Sequence, residues 1–164
     1  KSSLVSEHTM HREPFVITLD FLEKLRSRSG KLVAVGTTSV RTLESLYYIG
    51  VRCIESGVPG DVDQWDPYCR KYEYSLDESL GALIDYLKDN SLNELQLGTR
   101  IIIVPGYEFK VVDMLVTNFH QPQSTLLLLI SAFVKGDWHK IYDFALANDF
   151  RFLSYGDSSL LFKE

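Results

Sequence analysis

The stretch TNFHQPQSTLLLLISAF, residues 117–133, sets Asn118, His120 and Gln121 at the entrance of an apolar run over 126–130. A core helix has no use for three polar groups at its doorway. A site that holds and protonates a polar ligand beside a dry wall does, because hydrogen bonds strengthen where water is excluded. The preceding LVTNFH reads as a chain leaving a buried strand, and ligands of α/β sheets sit at strand ends. Asn118 and His120 are therefore read as site residues, against the ordinary alternative of a structural histidine beside a leucine helix.

Three more clusters carry chemically able groups. EHTMHRE, residues 7–13, brings His8, His11 and Glu13 together, with PFVIT (14–18) as the expected strand partner. In an extended chain His11 and Glu13 project to one face, and a carboxylate so placed orients an imidazole for proton transfer. HxxHxE also suggests a metal, but neither cysteine nor a second acidic pair completes a ligand set; a structural role stays open. GTTSVR, residues 36–41, reads as a strand ending in glycine followed by Thr37, Thr38 and Ser39 at a helix start. Outward-pointing N–H groups there can cradle an anion or a ribose, and Arg41 can reach back to a carboxylate or phosphate. Plain helix capping explains the same hydroxyls, and neither GxGxxG nor GxxxxGK[ST] is present. SYGD, residues 154–157, is first a tight turn; Asp157 gains interest through company.

The frame for these groups is an ordinary soluble globule. A chain of 164 residues, 45% hydrophobic and 24% charged, is long enough to bury a sizeable core as one domain. No apolar run is long enough to span a membrane and no secretory leader opens the chain, so a cytoplasmic setting is expected. The first residue is Lys1, which suits a processed chain or a piece of a larger one. Cys53 and Cys69 form no CxxC pair and read as reduced thiols, with no zinc expected. The net charge of −5 argues against a generic nucleic-acid coat. Lys24, Arg26, Arg28 and Lys31 read as a solvated helix end, with phosphate contact as the alternative.

The elements alternate. Thr18 caps a helix with Leu19, Phe21, Leu22 and Leu25 on its apolar side and Gly30 beyond its end. Residues 32–35 read as a buried strand, followed by a helix carrying Val40, Leu43, Leu46 and Tyr47. Residues 57–70 read as a surface loop. Ser75 and Glu78 form a capping box ahead of a helix at 76–88, an edge elaboration with little that looks chemical. Strands are expected at 101–104 and 111–116, a leucine-rich helix from Pro122 and Ser124 to near Gly136, and a helix capped by Asp137. Two short strands, at 152–153 and 159–162, close the chain. This is the grammar of an α/β layer fold, a layered α/β/α sandwich.

EHTMHRE, AVGTTSVRTLES, PGYEFKVVDMLVTNFHQPQSTLLLLISAF and FRFLSYGD, in that order, resemble the S-adenosylmethionine:tRNA ribosyltransferase-isomerase family of queuosine biosynthesis. The resemblance spans the chain except about 55–97, which reads as a family-atypical insertion. It implies that the sequence is the C-terminal part of a longer α/β domain whose inserted β-barrel lies outside it. The family's pattern is departed from at Ser158-Ser159, where Ala-Met is usual, at Leu153, where an aromatic is usual, and after SAF, where Val134, Lys135 and Gly136 intervene.

The resemblance implies transfer and isomerisation of the ribosyl unit of S-adenosylmethionine onto 7-aminomethyl-7-deazaguanine at the tRNA wobble position. Epoxyqueuosine forms, adenine and methionine leave, and no metal takes part. The implied partner is a tRNA anticodon loop, with no membrane and a monomeric protein expected. Adenine leaves better when protonated, and a proton must leave the carbon beside the sulfonium, so an acid and a base are needed. His11, Glu13, His120 and Asp157 are the groups on matched motifs. Thr37, Thr38, Ser39, Arg41, Asn118, Ser124, Thr125 and Tyr155 are the implied binding residues. Two rivals stand beside this reading: another S-adenosylmethionine-dependent transferase, for which GTTSVR is poor in glycine, and a non-catalytic tRNA-binding module, which the acidic balance disfavours.

Overall fold

The computed structural model describes residues 9–122 and 124–163. They fall into two compact units, one comprising the chain up to Arg28 with Ser45–Ile102, the other Ser29–Glu44 with the chain from Ile103 on. Both mix helices and strands, so the chain is α/β. No described helix is long and apolar enough to cross a membrane. Cys53 is buried and Cys69 exposed, and both are free thiols.

In the first unit, β1 (Glu13–Thr18) pairs antiparallel with β3 (Glu94–Thr99). Ile17 lies opposite Leu95 and Phe15 opposite Leu97, which places apolar pairs on one face. Among the described residues the partner of PFVIT is thus β3, and Glu13 of EHTMHRE belongs to β1 itself. β3 itself is a strand that the expected layout lacked, although Leu95 and Leu97 alternate with polar neighbours. Thr18 caps α1 (Leu19–Ser27), accepting from the Phe21 N–H at 3.2 Å. The helix α3 (Leu76–Asp89) starts at the expected capping box, with Glu78 N–H to Ser75 Oγ at 3.2 Å and Ser75 N–H to Glu78 at 2.7 Å. α1 and α3 pack together through Leu22 and Leu25 on one and Leu80, Leu83, Ile84 and Leu87 on the other, all buried. The bidentate Arg26–Asp77 pair, at 2.7 and 2.8 Å, borders this packing.

The basic cluster is engaged within the chain. Besides Arg26, Lys24 meets Asp20 at 2.7 Å and Arg28 donates to the Leu25 carbonyl at 3.0 Å. The expected loop at 57–70 holds one bridge, Val62 to Thr99, and a single 3-10 turn at Asp66–Tyr68. The expected strand at 101–104 does not form. Ile101 to Ile103 are buried, but the Ile101 N–H goes to Thr99 Oγ1 at 3.0 Å and the Ile102 N–H to the Gln64 carbonyl at 3.2 Å, outside any ladder.

In the second unit, β2 (Val33–Val35) runs parallel to β4 (Met114–Asn118), and β4 runs antiparallel to β5 (Ser158–Phe162). Ala34, Leu115 and Leu161 turn one face of this sheet inward, while Val33, Val35, Leu160 and Phe162 are exposed on the other. Helices α4 (Thr125–Phe133) and α5 (Trp138–Ala147) follow β4. The expected strand at 111–116 begins only at Met114, because the amides of Val111 and Val112 are taken by Glu44 instead of a neighbouring strand. Residues 152–153 are not a strand: Leu153 sits at φ 68°, and its N–H goes to the Phe119 carbonyl at 2.9 Å.

Helix α2 (Thr37–Ser56) supplies residues to both units. From Ser45 onward it approaches α3 so closely that a Cβ on Gly50 would collide with the backbone carbonyl of Ser79, whose hydroxyl donates to the Tyr47 carbonyl. Backbone cannot swing aside as a side-chain tip can. Gly50→Ala, although it favours the helix intrinsically, is expected to lower unfolding stability by about 1–3 kcal/mol, as overpacking does. Chemical denaturation of the two proteins measures this, and equal stability would show that α2 and α3 separate at little cost.

Candidate active site

Parallel pairing brings two motifs to one edge. β2 and β4 both end there, and the Gly36 N–H donates to the Val116 carbonyl at 2.8 Å, continuing the pairing one residue past β2. Gly36 then turns at φ 87°, a conformation costly for any residue with a Cβ, and α2 begins. Thr37 is buried, Thr38 exposed, and the Ser39 hydroxyl donates back to the Val35 carbonyl at 2.8 Å. Arg41 is buried one turn into the helix.

At the end of β4 the side chains have defined tasks. His120 Nε2 lies 3.0 Å from Thr117 Oγ1, and the His120 N–H donates to the Tyr142 hydroxyl at 2.9 Å. The imidazole is half-buried, and that burial lowers its pKa below the ordinary 6.5, so the ring is neutral at neutral pH. Phe119 anchors the strand end in an aromatic cluster with Tyr142 and Phe152, at centroid distances of 5.4 and 5.2 Å. Asn118 clamps the last loop, donating to the Leu153 carbonyl at 3.0 Å and accepting from the Ser158 hydroxyl at 3.4 Å. Gln121 is exposed. Ser124 caps α4, accepting from the Leu127 N–H at 3.2 Å, and Thr125 is half-buried in the first turn. Leu127, Leu129 and Ile130 of the same helix are buried.

The SYGD turn is closed by its aspartate. Asp157 accepts the Arg151 N–H at 2.7 Å, and that bond holds its carboxyl below the usual range. Tyr155 at the turn is 98% exposed. The remaining candidates belong to the first unit. Glu13, half-buried, opens β1 opposite Thr99, while His11 is exposed ahead of the strand. His8 lies outside the described residues. The structure thus gathers Thr37, Thr38, Ser39, Arg41, Asn118, His120, Ser124, Thr125, Tyr155 and Asp157 into one unit and leaves His11 and Glu13 in the other. Among the described residues no group of three or more His, Cys, Asp or Glu side chains is placed to hold a metal ion.

Glu44 escaped the reading of AVGTTSVRTLES. Its carboxylate is fully buried and accepts four hydrogen bonds. Oε2 takes the Tyr107 hydroxyl at 2.9 Å and the Lys110 N–H at 2.8 Å; Oε1 takes the Val111 and Val112 N–H groups at 3.0 and 2.9 Å. Burial pushes its pKa up, and the four donors oppose that push. One signal was available: Val40, Glu44, Tyr47 and Val51 fall on a single helical stripe, so a charge stood on the core face. Thr117 and Tyr142, which touch His120, gave no such signal.

The profile of the family described as queuosine biosynthesis protein matches residues 1–161. A Rickettsia bellii protein named S-adenosylmethionine:tRNA ribosyltransferase-isomerase is 34% identical over the whole chain, which spans 36% of that protein. Its namesake from Caulobacter vibrioides is 39% identical over the whole chain, which spans 35% of it. The crystal structure of S-adenosylmethionine tRNA ribosyltransferase from Thermotoga maritima superposes with a TM-score of 0.60 at 32% identity, over 90% of this chain and 40% of that one. The chain therefore spans well under half the length of these relatives.

Because folding lowers the pKa of His120, the unfolded chain takes up a proton here more readily than the folded one. The stability tied to the neutral ring is complete above about pH 6.5 and drains away as pH falls toward the lower folded value. In the intact protein, unfolding free energy should drop more between about pH 7.5 and about pH 5.5 for wild type than for His120→Asn, which does not titrate. Parallel curves from denaturant titrations would refute a neutral, half-buried His120.

Proposed function

We infer the function from one premise: this chain belongs to the family of queuosine biosynthesis proteins. In our reading it is part of a tRNA-modifying transferase and isomerase. The whole protein moves the ribosyl unit of S-adenosylmethionine onto 7-aminomethyl-7-deazaguanine at the wobble position of tRNA. Adenine and methionine leave, and epoxyqueuosine forms. The family match over residues 1–161 carries this reading, and the geometry of the second unit adds to it.

His120 is the proposed proton acceptor. A neutral imidazole with a depressed pKa takes a proton without first losing one, and Thr117 orients it at 3.0 Å. Asp157, held ionised by the Arg151 amide, offers negative charge to a sulfonium donor. His11 and Glu13 are the remaining proposed proton-transfer groups. The turn at Thr37, Thr38 and Ser39, with Arg41 behind it, is proposed to receive a carboxylate or phosphate. Asn118, Ser124, Thr125 and Tyr155 complete the proposed binding set. The partner is a tRNA anticodon loop carrying the deazaguanine base, the setting cytoplasmic, the protein a monomer working without metal.

The test is adenine release from S-adenosylmethionine by the intact protein, with and without tRNA bearing the aminomethyl base. Release coupled to tRNA modification supports the reading. Methyl transfer without adenine release would make the protein another kind of transferase, and tRNA binding with neither product would make it a binding module. His120→Ala should lower turnover by ~10²–10⁴-fold at saturating substrates, as loss of a proton-transfer group does. His120→Asn, which hydrogen-bonds but does not titrate, should be equally poor; near-normal turnover in both variants would leave His120 a structural residue.

A further inference from the structure

We propose that Glu44 is a positioning residue of this site: it locks the start of α2 against β4, and so holds the Thr37–Ser39 turn in fixed relation to Thr117 and His120. The proposal rests on the reading of the second unit as the active site.

A fully buried carboxylate is costly unless every lone pair meets a donor, and packed apolar side chains often serve stability as well. Four donors meet this one, and three are consecutive backbone amides, at Lys110, Val111 and Val112. Those amides stand immediately ahead of β4, whereas Glu44 stands two turns into α2. At the other end of the same stretch, the Gly36 N–H holds the Val116 carbonyl. The first turns of α2 are therefore fixed to the β4 strand at two points, one at the site edge and one below it. A helix held at one point can tilt; held at two, it cannot.

The same loop reaches two further elements. Asp113 accepts the Leu32 N–H at 2.9 Å, setting the entry of β2. Phe109 stacks edge-on against Tyr107 and against Phe133 of α4, at 5.0 and 4.8 Å. One carboxylate thus governs a loop that touches β2, β4 and α4, which all carry or flank proposed site residues.

The experiment is kinetic, on the intact protein, with Glu44→Gln as the main variant. The amide keeps one acceptor oxygen and turns an NH2 group toward donors, so at least one backbone N–H loses its acceptor. Turnover per folded molecule at saturating donor and tRNA should fall by ~10–100-fold, the order expected of a misplacement of about 1 Å. The pH profile of turnover should keep its inflections, because His120 itself is unchanged. Tyr107→Phe, which removes one donor of four, should fall in between. Ser79→Ala, which removes a buried hydrogen bond in the other unit, serves as a control that loses stability without disturbing the site. Turnover in Glu44→Gln that matches Ser79→Ala once both are corrected for folded fraction would overturn the proposal. If wild type releases no adenine, the reading of the reaction fails, and backbone chemical shifts decide the positioning claim separately. Displaced amide shifts at Gly36, Thr37 and Ser39 in Glu44→Gln support it, and unchanged shifts overturn it.

Discussion

The second unit depends on a very short parallel pairing. Three residues of β2 lie beside β4, and the Gly36 amide extends the contact by one more bond. Parallel strands need a crossover between them and end at the same edge. That single geometric fact sends GTTSVR and TNFH, separated by many residues in the chain, to one side of one sheet. Antiparallel β5 then covers the other flank of β4 and delivers the Leu153–Asp157 turn to Asn118. A slip of one residue in β2 would turn Ala34 outward and expose it in place of Val33 and Val35. So short a ladder needs reinforcement, and the bonds of Asp113 and Glu44 supply it.

What could be read from the sequence was what local chemistry decides. Thr18, Ser75 and Ser124 each cap a helix with their own side chains, a matter settled within four residues. The apolar helix α4 and the turn at Gly36 were equally local. The failures were all failures of partner. Residues 101–103 are apolar enough for a strand, yet the amides of Ile101 and Ile102 find Thr99 and Gln64. Val111 and Val112 are β-branched and buried, yet a carboxylate captures their N–H groups before a strand can. β3 was overlooked because its alternation is brief and ends in Gly98 and Thr99, and because only its pairing with β1 makes it a strand.

The candidate site divides along the same line. His120 stood out as a candidate because a histidine at a strand end beside leucines is locally odd. Asn118 was legible as a polar residue, but its work as a clamp on Leu153 and Ser158 depends on residues far along the chain. Thr117 looked like a strand residue until it met the imidazole. Glu44 resembled any solvated helix glutamate, and only its place on the apolar stripe of α2 set it apart.

The carboxylate of Glu44 also has a consequence for how this part of the chain breathes. Backbone hydrogens outside helices and strands ordinarily trade with water as soon as a loop flexes. Those of Lys110, Val111 and Val112 belong to a loop by conformation, yet they are bound as in a ladder. For any of them to meet water, a fully buried carboxyl group must give up a partner where solvent does not reach, which ties their exchange to an opening of the surrounding core. Slow exchange at three amides of a nominally irregular segment is what such anchoring implies.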